Sequence, residues 1–118
     1  MTEIWRLSLA EQSLEAQSGR LSPVEIIAAA LTRIESLDGL LDAVVTPMAD
    51  AARAAAAVAE TEIAAGRSLG PLHGLPVGLK DIFDVAGVLT AGGSKTAIDR
   101  VPKADAVSVA KLRAGGAI

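Results

Sequence analysis

Residues 70–81 read Gly-Pro-Leu-His-Gly-Leu-Pro-Val-Gly-Leu-Lys-Asp, and the character of the sequence changes at this stretch. Its first part, 70–76, is dense in glycine and proline and predicts a loop. The following residues, Val77–Phe83, predict a strand in which Gly78 and Lys80 share one face. A cationic side chain is therefore expected within an otherwise apolar strand, directly after a glycine-rich loop.

Lys80 is the first candidate for chemistry, and two interpretations of it are open. A strand lysine ordinarily lies at a sheet edge or extends its aliphatic stem to water. A partly buried lysine would favour its neutral amine, because desolvation disfavours the ammonium, and it could act as a base towards a hydroxyl. A catalytic Lys80 should face a pocket beside Gly78, whereas an ordinary lysine should be exposed.

Upstream of the loop, the sequence predicts two helices with clear start and stop signals. Ser8–Glu11 matches a capping box, in which a hydroxyl and a later glutamate satisfy free amides, before a helix over about 9–17 that stops at Gly19. Ser22–Glu25 repeats this signal with proline at the first helical position, and Gly39 closes the second helix. The apolar residues that recur at helical spacing in it are Ile27, Ala30, Leu31, Ile34 and Leu37.

A short link and an alanine-rich helix come next. Several of residues 41–46 have β-branched side chains, and a proline follows them, so this segment predicts a brief strand or an extended link. From residue 48 or 49 to 65, Ala, Glu and Arg favour a third helix, which Gly66 ends. Its small side chains allow a close approach to a neighbouring helix.

A fourth helix is predicted over 106–113, with Asp105 or a neighbour as its cap and Gly115–Gly116 at its end. Ala117–Ile118 then reads as the first residues of another apolar strand. Because a strand needs about five residues and a partner, we expect that these residues are not the whole functional unit.

Composition excludes several classes of function. The 118 residues contain no cysteine, which excludes a disulfide scaffold, zinc thiolates and a cysteine nucleophile. The net charge of −3 gives no electrostatic footprint for nucleic acid or an anionic membrane. No run approaches the roughly 20 apolar residues of a membrane span, and no signal sequence is recognisable. We therefore expect a cytoplasmic protein without direct nucleic-acid or membrane binding.

Other polar residues of this region favour structural roles. His73 has neither a second histidine nor a cysteine with which to bind a metal, so it is expected to organise the loop through hydrogen bonds. Asp81 and Asp84 favour a solvated turn or a charge partner over a glycosidase pair. Residues 87–96 superficially match a phosphate-binding loop, but Gly93 stands where that motif requires lysine. Gly92 and Gly93 are therefore expected to supply positive φ or a close backbone approach. The sequence thus predicts neither a metal nor a nucleotide site.

The run 70–81 resembles the segment around the catalytic lysine in the amidase signature family. The similarity continues through 82–87 and 90–94, and 104–117 is similar to the helix that follows in the family. The helix start at 22–25 fits the opening helices of the family more loosely. The resemblance therefore covers nearly the whole chain and is most specific around the lysine.

This resemblance implies an α/β fold: the N-terminal part of an α/β/α sandwich with a mixed sheet, in which the helices come first and the sheet is incomplete. We expect several helices and a few short strands in one partial amidase domain over 1–118. Within that domain, 1–66 is the helical region, and 67–118 holds the lysine-bearing strand, the glycine-rich loops and the following helix.

The resemblance also implies an amide hydrolase with a serine, cis-serine, lysine triad and no cofactor. Lys80 would be the base that activates the nucleophilic serine through a bridging serine, which leads to an acyl-enzyme. In the family both serines lie in a Gly/Ser-rich segment that nothing here matches, and Ser94 matches only a serine of the lysine-side segment. We therefore expect an N-terminal amidase fragment that is inactive alone, the complete enzyme acting on a small amide.

Two alternatives stay open. The chain is also similar to the amidase-type component of a tRNA-dependent amidotransferase, which works with partner subunits. It could instead be a non-catalytic module in which the alanine-rich helices mediate association. A partial sheet exposes apolar edges and faces, and such surfaces favour self-association.

Overall fold

A computed structural model describes residues 3–118. Its helices are α1 at Leu9–Gln17, α2 at Pro23–Leu41, α3 at Ala49–Ala64 and α4 at Val107–Ala114, with short 3₁₀ turns at Ile4–Arg6 and Lys95–Ala97. These residues form two compact units. Unit 1 comprises the described residues up to Val77 together with Gly115–Ile118, and unit 2 comprises Gly78–Ala114. No helix in the described range is long and apolar enough to cross a membrane.

Helix α1 has the predicted boundaries because its capping box forms. The Ser8 hydroxyl accepts a hydrogen bond from the Glu11 amide at 3.2 Å, and the Glu11 carboxylate accepts one from the Ser8 amide at 2.7 Å. The hydrogen bond from the Ser8 amide holds the pKa of Glu11 below its ordinary value. Gly19 follows the helix with a φ of 74°, as expected for its end.

Helix α2 begins with the predicted capping box but continues past Gly39, so the predicted end was wrong. An aspartate ends the helix in place of the glycine. Asp42 takes the left-handed conformation with a φ of 50°, and its amide donates to the Asp38 carbonyl at 2.7 Å. Asp38 Oδ1 then accepts from the amides of residues 43 and 44 at 2.7 and 2.9 Å. Aspartate can do this because its short side chain bonds to nearby backbone and tolerates positive φ.

Helices α2 and α3 pack against each other in unit 1. The contact includes Ala56, which is 0% exposed and lies against Ile27 and Leu31 of α2. A second buried cluster joins Ala16, Ile26 and Leu75. The alanine-rich helix therefore does bring a neighbour close, as the sequence predicts. The link before it, residues 42–48, is irregular and forms no strand.

The strand predicted at Val77–Phe83 does not form. Residues 78–80 belong to no helix or strand, and a turn follows at Lys80–Phe83, closed by an amide-to-carbonyl hydrogen bond of 3.0 Å. Over the whole described range no segment is a strand, so the expected incomplete mixed sheet is not confirmed. A strand needs a partner of similar length, and residues 75–77 pair across the chain with a single residue, Ile118.

Unit 2 consists of loops packed around helix α4. Val85 and Val109 are its buried aliphatic side chains. Asp105 does not act as the predicted helix cap, because its carboxylate is bound elsewhere. Its Oδ1 accepts from the Ala86 amide at 2.8 Å, and its Oδ2 lies 3.4 Å from Arg113 Nε. The aspartate thus ties the start of α4 to the preceding loop and to the last turn of the helix.

Candidate functional site

The loop that precedes Lys80, residues 69–77 (the His73 loop), is organised around His73 in unit 1. The imidazole is buried, with 2% of the residue exposed. Its Nδ1 accepts from the Leu69 amide at 3.0 Å, and its Nε2 lies 2.9 Å from Glu62 Oε2 on α3. Because Nδ1 is an acceptor, the proton of the neutral ring lies on Nε2, next to the Glu62 carboxylate. The prediction that His73 organises the loop through hydrogen bonds is confirmed.

Helix α1 holds the same loop through two side chains. The Ser13 hydroxyl donates to the Pro71 carbonyl at 2.6 Å, and the Gln17 side-chain amide donates to the Gly70 carbonyl at 3.3 Å. Both carbonyls lie outside any helix or strand, so side chains supply the donors that regular structure would otherwise provide.

Two glycines allow the backbone to pack closely around His73. Gly74 has a φ of 81°, and a Cβ atom there would lie 2.7 Å from Pro23 Cγ at the start of α2. Gly116 also has a φ of 81°, and its Cβ would overlap the His73 ring at Cδ2. Both positions combine positive φ with a close contact, so only glycine fits them without strain.

Residues 116–118 complete the anchoring of the loop. The Gly74 amide donates to the Gly116 carbonyl at 2.9 Å. The Ile118 amide donates to the Leu75 carbonyl at 2.8 Å, and the Val77 amide donates to the Ile118 carbonyl at 2.7 Å. Ile118 thus bonds to residues on both sides of position 76, which is the pattern of a parallel strand pair. The backbone is therefore hydrogen-bonded as far as Val77.

Lys80 lies in unit 2, and it is exposed. The expectation of a partly buried lysine at a strand, facing a pocket beside Gly78, is therefore wrong for the described residues. A Cβ atom at Gly78 would meet nothing within 4 Å, and the two shallow apolar grooves found on unit 1 are lined by other residues. The reason is that 78–80 has no paired strand or packed helix to cover it. Exposure fits the other interpretation, an ordinary surface lysine, and the catalytic role of Lys80 stays a prediction.

Asp84 and Arg100 form a bidentate ion pair within unit 2. Arg100 Nη1 donates to Asp84 Oδ1 at 2.6 Å, and Nη2 donates to Oδ2 at 2.8 Å. The hydrogen-bonded guanidinium holds the pKa of Asp84 below its ordinary value. Asp84 is thus a charge partner, one of the two roles predicted for it. Among residues 3–118, no three His, Asp or Glu side chains are grouped so as to hold a metal ion.

The glycine-rich stretch after this ion pair is a backbone turn. Gly92 and Gly93 have φ values of 61° and 71°, which confirms the predicted positive φ. The Cβ position of Gly92 lies 3.7 Å from the Asp81 carbonyl oxygen. The Ser94 hydroxyl accepts from the Thr96 amide at 3.3 Å and begins the 3₁₀ turn that follows. Ser94 therefore has a structural role here.

Sequence reasoning missed three residues that fix these segments. Glu62 has the pattern of a helix surface residue, Arg100 is distant in sequence from its partner, and Gly116 was interpreted only as a helix end. One signal was available: a histidine in a glycine-rich loop needs polar partners if it is buried. The spacing alone could not identify Glu62 as that partner.

Lys80 and the His73 loop lie within the part of the chain that matches a known family. The family model described as Amidase matches residues 25–118, which is most of the chain. The chain therefore belongs to the amidase family, and the resemblance to the amidase signature enzymes is confirmed.

Individual relatives include amidases as well as components of amidotransferases. The chain is 43% identical over 116 residues to a glutamyl-tRNA(Gln) amidotransferase subunit of Geobacter sulfurreducens, covering 98% of this chain and 24% of that protein. It is 37% identical over 118 residues to an amidase of Pseudomonas putida, covering 100% of this chain and 25% of that protein. The solved structure of a peptide amidase from Stenotrophomonas maltophilia superposes with a TM-score of 0.87 at 34% identity, covering 96% of this chain and 23% of that one. The chain thus spans about a quarter of the length of these relatives.

Gly74→Ala should destabilise unit 1 strongly, because a methyl group there meets Pro23 and the backbone keeps a positive φ. We expect a loss of about 2–4 kcal/mol in the free energy of unfolding, measured by urea denaturation. Gly19→Ala is the matched control, since its φ is 74° but nothing lies within 4 Å of the new methyl group. The control should lose only about 1–2 kcal/mol. Equal losses in the two variants would contradict the proposed close packing at Gly74.

The Asp84–Arg100 pair should make unit 2 sensitive to acid. The pKa of Asp84 is lowered in the folded state from its ordinary 3.8, so the pair stabilises the fold above that pH. This contribution is lost as the pH falls below 3.8 and through the lower pKa of the folded state. Thermal melts from about pH 7 to about pH 2, followed at unit 2 resonances by NMR, should show this loss. Asp84→Asn should lower stability at neutral pH and flatten the acid dependence, whereas Asp99→Asn at an exposed site should do neither. An unchanged acid profile in Asp84→Asn would refute the role of the pair.

Proposed function

We propose that this chain supplies the lysine-bearing part of an amide hydrolase of the amidase signature type, with Lys80 as the base. The observation that carries the proposal is the family match over 25–118, which includes the complete run around Lys80. The structure adds support, because the backbone just before Lys80 is hydrogen-bonded to residues 116–118 as far as Val77.

In the proposed reaction, the neutral Lys80 amine accepts a proton through a bridging serine hydroxyl, and a second serine attacks the amide carbonyl. As the carbon–nitrogen bond breaks, the protonated Lys80 returns the proton through the bridging serine to the leaving nitrogen, so the amine departs and an acyl-enzyme ester remains. Water then hydrolyses this ester, which releases the carboxylic acid and restores the serine hydroxyl. The three triad members must lie within hydrogen-bond reach of one another. Residues 1–118 supply the base, and we infer that the two serines and the cover over Lys80 come from sequence with no counterpart here.

The exposure of Lys80 is compatible with this proposal. The chain spans about a quarter of its relatives, so most of a complete amidase domain lies outside the residues described. We infer that the pairing of 75–77 with Ile118 is the start of the mixed sheet, and that further strands would cover 78–80. Burial by those strands would then favour the neutral amine that a base requires.

A second candidate function is that of an amidotransferase subunit. The specific observation in its favour is the 43% identity to the Geobacter sulfurreducens glutamyl-tRNA(Gln) amidotransferase protein, which exceeds the 37% to the Pseudomonas putida amidase. On this alternative the same lysine chemistry would serve amide transfer, and the complete protein would act with partner subunits.

The test is a graft in which residues 1–118 replace the matching quarter of the Pseudomonas putida amidase. The grafted enzyme should hydrolyse the amide substrate of the unmodified relative, and Lys80→Ala should lower kcat by about a thousandfold or more, as loss of a triad member does. Lys103→Ala, at another exposed lysine, is the matched control and should keep kcat within about twofold.

A folded graft that retains its kcat in Lys80→Ala would refute the proposal. If the full graft does not fold, a shorter graft of residues 70–94 into the same relative tests the lysine segment by the same two variants. A graft that is active only in the Geobacter sulfurreducens protein, within its own assembly, would favour the second candidate.

The 118-residue chain alone should not hydrolyse amides. It carries one member of the triad, and the nucleophile is required for the family's reaction. The measurement is release of amine from a small anilide, compared between the chain and its Lys80→Ala variant. Release that depends on Lys80 would show that the missing serines are not needed and would contradict the mechanism.

A further inference from the structure

We propose that Glu62 and His73 form a positioning pair for Lys80, which holds the backbone that leads to the lysine. This inference rests on the proposed function, because it assigns a role in the reaction of that same site. The pair touches no substrate; it would act through the His73 loop.

The pair lies at the centre of the loop's contacts. His73 Nε2 lies 2.9 Å from Glu62 Oε2 on α3, and Nδ1 accepts a hydrogen bond from the Leu69 amide. Gly116 lies close to the Cδ2 side of the ring, where a Cβ atom would overlap it. The ring therefore joins three separate segments of unit 1: a helix, the start of the loop and the 116–118 segment.

The 116–118 segment passes this constraint along the chain. Gly116 accepts from the Gly74 amide, and two residues later Ile118 bonds to Leu75 and Val77. Gly116 and Ile118 belong to the same three-residue segment, so a shift of Gly116 away from the imidazole would also shift this pairing. Val77 is the last residue of the loop held in this way, and Gly78 and Leu79 connect it covalently to Lys80.

Glu62 is the member of the pair that can be changed with least disturbance. It is half-buried, at 35% side-chain exposure, and lies in the last turn of α3. Its removal leaves the Nε2 proton of a buried ring without an acceptor, so the ring should shift or turn to find water. Since a base must lie within hydrogen-bond reach of its proton donor, a displaced loop should slow the chemical step more than it weakens substrate binding.

The experiment measures kcat and KM in the Pseudomonas putida graft. Glu62→Ala should lower kcat by about tenfold and leave KM within about twofold. This loss is smaller than the roughly hundredfold loss of rate that a misplacement of about 1 Å can cause, because the pair acts on Lys80 only through the loop. Glu62→Gln keeps an acceptor oxygen and should restore most of kcat. Ala54→Gly weakens α3 at an exposed position through the lower helix propensity of glycine, so it is the control for lost stability and should keep kcat within about twofold.

Three results would overturn the inference: an unchanged kcat in Glu62→Ala, an equal fall in Ala54→Gly at a temperature where both are folded, or no rescue by Glu62→Gln. If Glu62→Ala does not fold, Glu62→Asp, which withdraws the carboxylate by one methylene, replaces it with the same expectation. Failure of the proposed function is a separate result, because it would appear as full activity in Lys80→Ala.

Hydrogen exchange on the 118-residue chain supplies a readout that needs no activity. Glu62→Ala should speed exchange at the Leu69 and Val77 amides, while the Ala52 amide near the start of α3 should exchange at the parent rate. Unchanged exchange at Leu69 and Val77 would overturn the anchoring whatever the graft shows.

Discussion

A buried imidazole, with Nδ1 hydrogen-bonded and Nε2 beside a carboxylate, is the interaction on which the loop of unit 1 that leads to Lys80 depends. The His73 loop contains no helix or strand, and its backbone is held by turn hydrogen bonds and by the pairing with residues 116–118. His73 adds a side-chain contact to Glu62 on α3 and a hydrogen bond to the Leu69 amide at the start of the loop. A hydrogen bond to a charged group contributes about 1.5–3 kcal/mol, and less where the carboxylate is partly in water, as that of Glu62 is. The contacts of the ring also fix the relative positions of three chain segments of unit 1, because α3, the start of the His73 loop and residues 116–118 meet at it.

Glycine makes this arrangement possible at two positions. Gly74 lets the loop approach α2, and Gly116 lets the 116–118 segment lie on the ring. Both have positive φ, so a side chain would be strained there even if space were available. Packing in unit 1 therefore explains His73 and the glycine that follows it. It does not explain the lysine at position 80, which is exposed and which packing does not require.

His73 and Lys80 lie within one short run of sequence, but His73 has a structural role and Lys80 has only a proposed chemical role. Every polar atom of the His73 ring has a partner inside unit 1. Lys80 lies on an exposed run with neither helix nor strand, which is expected if its partners belong to the remainder of an amidase domain. Family membership and the quarter-length coverage of the relatives agree with that interpretation. The proposal therefore assigns the loop to positioning and the lysine to proton transfer.

Local signals in the sequence predicted the helices, whereas contacts between distant residues were not predictable. The capping boxes at Ser8 and Ser22 fixed two helix starts because hydroxyl and glutamate lie within one turn. The end of α2 was missed because Asp42 took a conformation usually given to glycine. The prediction of a strand at Val77–Phe83 was wrong. Alternating side chains predict which residues share a face, but a strand also needs a neighbouring strand to pair with. The role of His73 was anticipated from its setting, but its partner Glu62, on a helix that precedes the loop, could be found only from the fold.

The most direct test is the tautomer of His73, which NMR can assign without ambiguity because the chain contains one histidine. A long-range proton–nitrogen correlation spectrum, recorded where the ring is neutral, should show Nδ1 unprotonated and Nε2 carrying the proton. A ring protonated on Nδ1, or one averaging between both forms as an exposed histidine does, would contradict the central role of this side chain.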